Sequence, residues 1–494
     1  VKFIKRITIS AMLLSLGACG SSNNNSPITT DAIDPAYQGI WLANDKGLAI
    51  KIGERTVENY MFTSDFCFLT EDADEVETRD LERYVSIESS GSLYWFAGYG
   101  PREMSASGFE LISTSALPNA CETNLIALEG QDGYQENPEQ TFSIFSQIFE
   151  EYYMDFDLQN VDWTGLKQTY SVGITQDSTN LDLMIAMDAM IKPLRDAHTS
   201  ITSEFGTVSY NNKQVLTERL IEEFANTEGL PYPIPGEIVT EAMLENLQAF
   251  ISDSIELQKT LILDYADDAS SVIFRADGDV FWFVNEGIGY LHIGKMIDYH
   301  PDNEDADDLQ NDTNELASLD QILDEALSDL QNVDGLILDI RTNNGGHEFI
   351  SLAIANRFTD GNVLAYTKKH GKTSPEVEVY LMPRGEVRYT GPIALLVSAS
   401  TVSAAETFAL SMSELDNVVL IGEATQGAFS DIMNWELPQG FDLGLSSEYY
   451  YSANGSWLEG QGVPVDIDTS FFSIDEREQE YDAGIEAAID WFKQ

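Results

Sequence analysis

The chain has 494 residues, 43% of them hydrophobic, with 24 Phe and 21 Tyr, enough for two or three packed domains and against global disorder. Its 83 Asp and Glu against 26 Lys and Arg leave a formal net charge of −57. A surface that negative repels nucleic-acid phosphates and anionic lipid, which argues against both as partners, and it suits solubility in a salty exterior where screening weakens self-repulsion.

Lys2, Lys5 and Arg6 form a positive flank, and Ile7 to Leu16 an apolar stretch too short to span a bilayer as a mature helix. It ends in Leu16-Gly17-Ala18-Cys19 before a polar run, an order that resembles the bacterial lipobox. Residues 1–19 are therefore expected to be a lipoprotein signal peptide, with Cys19 as the lipidated residue. That implies a bacterial cell-envelope location facing the periplasm or exterior, with membrane contact only through the lipid anchor. Setting Cys19 aside leaves Cys67 and Cys121, an even pair in an exported chain, and a disulfide is expected. Neither has a His or second Cys at metal-site spacing, which argues against zinc.

Residues 20–35 read as a tether. From 36 to 130, short apolar runs broken by Gly and charge, such as Gly39-Ile40-Trp41-Leu42 and Ser92-Leu93-Tyr94-Trp95-Phe96, predict a small β domain. A role in presenting substrate and a role as a spacer fit it equally. The spacing changes after Pro138: Phe142, Phe145, Ile148, Phe149 and Tyr152 make a helical stripe, and a second helix is predicted over about 181–194. Residues 138–205 form this helical segment. Two more helical patterns, near 215–225 and 240–261, make 206–275 a helical insertion or cap. The acidic run Asp302 to Glu315 lacks the spacing of a calcium loop and is expected to be solvated loop. Residues 280–494 alternate continuous apolar strands (335–340, 393–397, 418–421) with helices, which predicts an α/β layer core.

Three segments of that core could carry chemistry. Asp339-Ile340-Arg341-Thr342-Asn343-Asn344-Gly345-Gly346 ends a strand in a Gly-Gly loop, where backbone N–H groups can approach a substrate. Ser398 to Ala409 leads from a buried strand into small residues, with Ser403 opening a helix; on this segment alone Ser403 reads equally well as an N-cap completed by Glu406. Glu459-Gly460-Gln461-Gly462-Val463-Pro464 is a turn-rich segment that alone could be only a loop.

The first two segments, followed by Gly422-Glu423-Ala424-Thr425-Gln426-Gly427, resemble the S41 (tricorn and C-terminal-processing) peptidase family over about residues 140–470. The resemblance implies a ClpP/crotonase-like core, peptide or protein substrates and no cofactor. In the C-terminal-processing branch a lysine follows Gly-Glu-x-Thr-x-Gly; here that position is Ala428, which argues against a Ser–Lys dyad. The tricorn-like branch is the better match. It implies Ser403 as nucleophile, His198 in Asp196-Ala197-His198 as base, and Glu459 orienting or polarising the histidine or substrate. Gly345, Gly346 and Ala404 would supply the oxyanion and substrate-binding backbone. That branch has a serine directly before the histidine, where this chain has Ala197, so orientation must come from elsewhere, with Asp196 the nearest group. His347, beside the Gly-Gly loop, is the other histidine candidate. A catalytically inactive relative binding peptides or apolar ligands is the alternative; it would not need Ser403, His198 and Glu459 to converge.

Overall fold

The computed structural model describes residues 32–102, 104, 108–301 and 308–494. Cys19, the expected leader and residues 20–31 of the expected tether lie outside the described residues; the end of that tether is instead packed, with Ile33 buried in an apolar cluster and its N–H donated to the Glu54 carbonyl.

The N-terminal unit is an eight-stranded sheet in the order Val85–Ile87, Leu93–Trp95, Phe109–Thr114, Gly39–Ala43, Leu48–Ile52, Val57–Phe62, Cys67–Ala73, Leu125–Ile126. All pairings are antiparallel except the last. A disulfide joins Cys67 to Cys121 and ties an edge of this sheet to the short helix Asn119–Thr123. The sheet does not close its own core. Trp41, Leu48, Ile50 and Phe68 pack in one apolar cluster with Phe142, Phe145 and Phe149 of the helix Pro138–Tyr152 and Met187 and Met190 of the helix Asn180–Ile191. Asn137 and Thr179 cap these two helices by accepting backbone N–H groups of the first turn.

The same cluster reaches Trp435, Phe441 and Leu443 in a four-stranded sheet ordered Gly206–Ser209, Ser200–Ser203, Phe441–Ser446, Ile432–Leu437. Ser200–Ser203 pairs antiparallel with Phe441–Ser446, bringing a segment near residue 200 against one 240 positions later.

The third layer is a seven-stranded sheet: Ile273–Arg275, Val280–Asn285, Ile288–Ile293, Gly335–Asp339, Ile393–Val397, Val418–Gly422, Ile467–Asp468. Pairing is parallel from Ile288–Ile293 onward. Alternate residues of each strand face opposite sides. Leu336, Leu338, Leu395 and Val397 meet the helices Asp308–Leu330, Glu348–Ala355 and Ala404–Ser413, while Ile337, Ala394, Leu396 and Ile421 meet Ala483–Phe492. Burial on both faces is what the unbroken apolar runs require. The helices Leu216–Thr227 and Glu241–Leu263 occupy the insertion. Among the described residues, no helix is long and apolar enough to cross a membrane.

One expectation fails here. The acidic run, expected as solvated loop, is from Asp308 onward the first part of the helix Asp308–Leu330. Acidic side chains in a first turn interact favourably with the helix dipole, and Leu316, Leu319 and Leu323 bury the same helix further along.

Candidate functional site

Ser403 ends the loop leaving the strand Ile393–Val397 and immediately precedes the helix Ala404–Ser413. Its backbone sits at φ 62°, ψ −128°, a region residues with a Cβ avoid, and its hydroxyl does not cap the helix. The capping role therefore falls elsewhere: the Glu406 carboxylate accepts the Ser403 N–H at 3.3 Å. The same carboxylate accepts the Thr425 hydroxyl and Gly427 N–H at 2.6 Å each and the Ala428 N–H at 2.7 Å. Burial pushes its pKa up, against those donors and the nearby Lys213. Glu406 thus binds the Ser403 turn to the Gly-Glu-x-Thr-x-Gly loop.

The Gly-Gly loop lies directly beside the serine. A Cβ on Gly345 would come within 2.6 Å of Ser403 Cβ and 2.9 Å of the Ala404 nitrogen, so only glycine permits this approach. Asn343 shapes the loop: its Oδ1 accepts the Gly345 N–H at 2.8 Å, its Nδ2 donates to the Ile293 carbonyl, and its own carbonyl accepts the Val402 N–H. Met296 takes the loop's other edge, pairing with the Gly345 carbonyl and the His347 N–H. The Gly346 and Ala404 N–H groups, by contrast, find no acceptor among the described residues. Gly345 lends closeness and Gly346 a free donor. Ser398 Oγ donates to the Arg341 carbonyl at 2.6 Å and Thr401 Oγ1 to the Ile340 carbonyl at 3.0 Å, fastening the two loops together.

His198 enters from the four-stranded sheet, two residues before Ser200–Ser203. Asp196 fixes its backbone: Oδ1 accepts the His198 N–H at 2.9 Å and the Ser446 hydroxyl at 3.0 Å, and Oδ2 accepts the Thr199 hydroxyl at 3.0 Å. The ring is buried, and burial lowers its pKa, with Asp196 and the Ser430 backbone acting in the opposite direction. Nδ1 has no hydrogen-bond partner. Glu459 is buried too, its carboxylate taking the N–H groups of Phe429 and Ser430 at 3.2 Å each. Burial and the negative Asp196 and Glu406 hold it well above the usual carboxylate range. Burial thus works against the charged form of both groups.

The segment 428–430 is where these groups gather. The Ala428 N–H shares Glu406 with the Ser403 N–H, the Phe429 and Ser430 N–H groups hold Glu459, and the Ser430 backbone acts on His198. No hydrogen bond joins the Ser403 hydroxyl to the His198 ring among the described residues; such bonds often tighten only when substrate is bound.

Against these geometric findings, residues 287–469 match the model for peptidase family S41. The likeness to that family is confined to this stretch, which is less than half of the chain. The stretch holds Ser403, Gly345, Gly346, Ala404 and Glu459, whereas His198 lies upstream of it. The chain is similar in part to the carboxy-terminal processing protease CtpA of Bacillus subtilis (strain 168): 32% identical over 149 residues, 29% of this chain and 31% of that protein. A carboxyl-terminal-processing protease of Synechocystis is 26% identical over 162 residues, 32% of this chain and 37% of its own length. The chain thus spans about a third of the curated relatives it matches. A solved structure of a candidate peptidase from Parabacteroides merdae shares the fold, with a TM-score of 0.53 and 21% identity over 72% of this chain and 97% of its own.

The Asp-x-Arg part of the S41 signature is structural. Arg341 is fully buried, pairs with Asp339 at 2.6 Å and Asp482 at 2.8 Å, and lies over the Phe471 ring. Ala428 occupies the lysine position as a buried methyl group, and only its N–H faces a carboxylate. His347 stacks on Phe349. Ser430 and Asn343 received no role from sequence: Asn343 stood inside the quoted motif, whereas Ser430 lay beyond every motif and gave no signal.

Proposed function

We propose that this chain is a serine peptidase with a tricorn-like Ser403/His198/Glu459 site rather than a Ser–Lys dyad. The observation that carries the reading is the pair of free N–H groups, Gly346 and Ala404, beside a serine held at positive φ. Such donors stabilise charge on a carbonyl oxygen as it becomes tetrahedral. Ser403 attacks the peptide carbonyl while His198 takes the hydroxyl proton and returns it to the leaving amine. Glu459 polarises the imidazole or the bound substrate, and Asp196 keeps the histidine turn in place. Peptide or protein substrates follow from the likeness to processing proteases. Lipidation at Cys19 would place the enzyme on the bacterial envelope, away from the reducing cytoplasm.

The missing bond between Ser403 and His198 is the observation that favours the second reading, an inactive peptide binder. Labelling of residues 20–494, with Cys19 removed, by a fluorophosphonate probe separates the two. Wild type is expected to label, and Ser403→Ala and His198→Ala to lose labelling by at least about a thousandfold. A folded wild-type protein that stays unlabelled overturns the peptidase reading in favour of the binder.

A further inference from the structure

The N-terminal β unit touches the site from two sides. At the turn between Gly39–Ala43 and Leu48–Ile52, Lys46 is buried and its ammonium pairs with Glu448, a residue with no exposed surface. Next to it, Asp45 accepts the Thr373 N–H at 3.0 Å and hydroxyl at 2.9 Å. On the other side, Gly100 packs so tightly on Phe349 that a Cβ there would lie 2.5 Å from the ring. Phe349 is on the helix that directly follows the Gly-Gly loop.

Glu448 leads straight to the proposed base. Ser430 Oγ accepts the N–H groups of both Ser447 and Glu448 at 2.9 Å. Ser430 then donates its own N–H to Glu459 at 3.2 Å, and its backbone acts on His198. A buried lysine carries a desolvation cost, and its position here, at the end of a chain of contacts reaching both groups, gives that burial a purpose beyond packing.

We infer that the N-terminal β unit is a positioning module for the S41 site, with Lys46 as a positioning residue that clamps Glu448 and, through it, the Ser430 turn facing His198 and Glu459. The role of that clamp in catalysis rests on the proposed peptidase function; the clamp itself does not. Glu448 is also paired with Lys368 at 2.9 Å and lies 3.2 Å from His370 Nδ1, so neutralising Lys46 does not leave a lone buried carboxylate.

The test uses residues 20–494 carrying Lys46→Met or Lys46→Arg. Two quantities are read: the fluorophosphonate labelling rate, and the imidazole resonance of His198, assigned among the chain's five histidines with His198→Gln. Lys46→Met is expected to slow maximal labelling by about tenfold to a hundredfold at unchanged half-saturation, as a displaced base does, and to move the His198 resonance. Lys46→Arg should restore both. A folded Lys46→Met protein whose His198 resonance stays in place overturns the inference. A wild type that does not label, together with a His198 resonance that moves in Lys46→Met, sinks the peptidase function and leaves the clamp standing. If Lys46→Met does not fold, Lys46→Gln, which keeps a donor for Glu448 without the charge, is read in the same way.

Discussion

Ser403 holds a backbone conformation that costs a residue with a Cβ about 1–3 kcal/mol. The strained residue is the one that lies directly against Gly345. Ser403→Gly is accordingly expected to stabilise the protein by about 1 kcal/mol, after the entropic penalty of glycine, while abolishing labelling. Chemical denaturation of the two proteins measures it, and an unchanged or lower midpoint would show that the turn is unstrained. Ser403 and Glu459 stand out in the sequence only through the family resemblance, since alone the first reads equally well as an N-cap and the second as part of a loop. Ser430 lies outside the motifs that carry that resemblance, although the structure uses both its N–H and its hydroxyl. Glu406 was read as a helix-cap partner, which describes its bond to Ser403 and misses the three donors that reach it from residues 425–428.

Elements were legible where their own side chains determine them. The helices at 216–227 and 241–263 and the strands at 335–339, 393–397 and 418–422 fall where apolar spacing puts them. Pairing was not legible. Nothing in Ser200–Ser203 announces that its partner is Phe441–Ser446, yet that register carries His198 into the molecule. The Gly-Gly loop makes a sharper prediction. Gly346 lies at φ 141°, and a Cβ there would sit 2.3 Å from the Met296 carbonyl oxygen. Gly346→Ala must shift the loop and turn away its free N–H. Labelling should fall by about a hundredfold to a thousandfold, the usual cost of one oxyanion donor, with far-UV circular dichroism unchanged. Wild-type labelling in the folded variant would remove Gly346 from the oxyanion site.

At the scale of the molecule, the apolar cluster that begins in the N-terminal sheet continues through the helices at 138–152 and 180–191 into the strands at 432–446. That continuity predicts one cooperative transition rather than a β domain melting alone. The Cys67–Cys121 disulfide closes a loop of 54 residues, for which chain entropy gives about 4 kcal/mol. Replacing both cysteines by serine should lower the stability of the whole chain by about that amount in a single urea transition. Two separated transitions would show that the sheet folds by itself. Sequence divided the chain into segments but could not reveal that one apolar cluster runs through several of them, since contacts between residues far apart in the chain leave no local trace. The hydroxyl ties from Ser398 and Thr401 to the carbonyls of residues 341 and 340 have a last consequence. They make Ser403 and the Gly-Gly loop one piece, while His198 arrives on a separate sheet. On the proposed reading, a substitution at His198 therefore takes away the base and leaves the cradle for a carbonyl oxygen assembled.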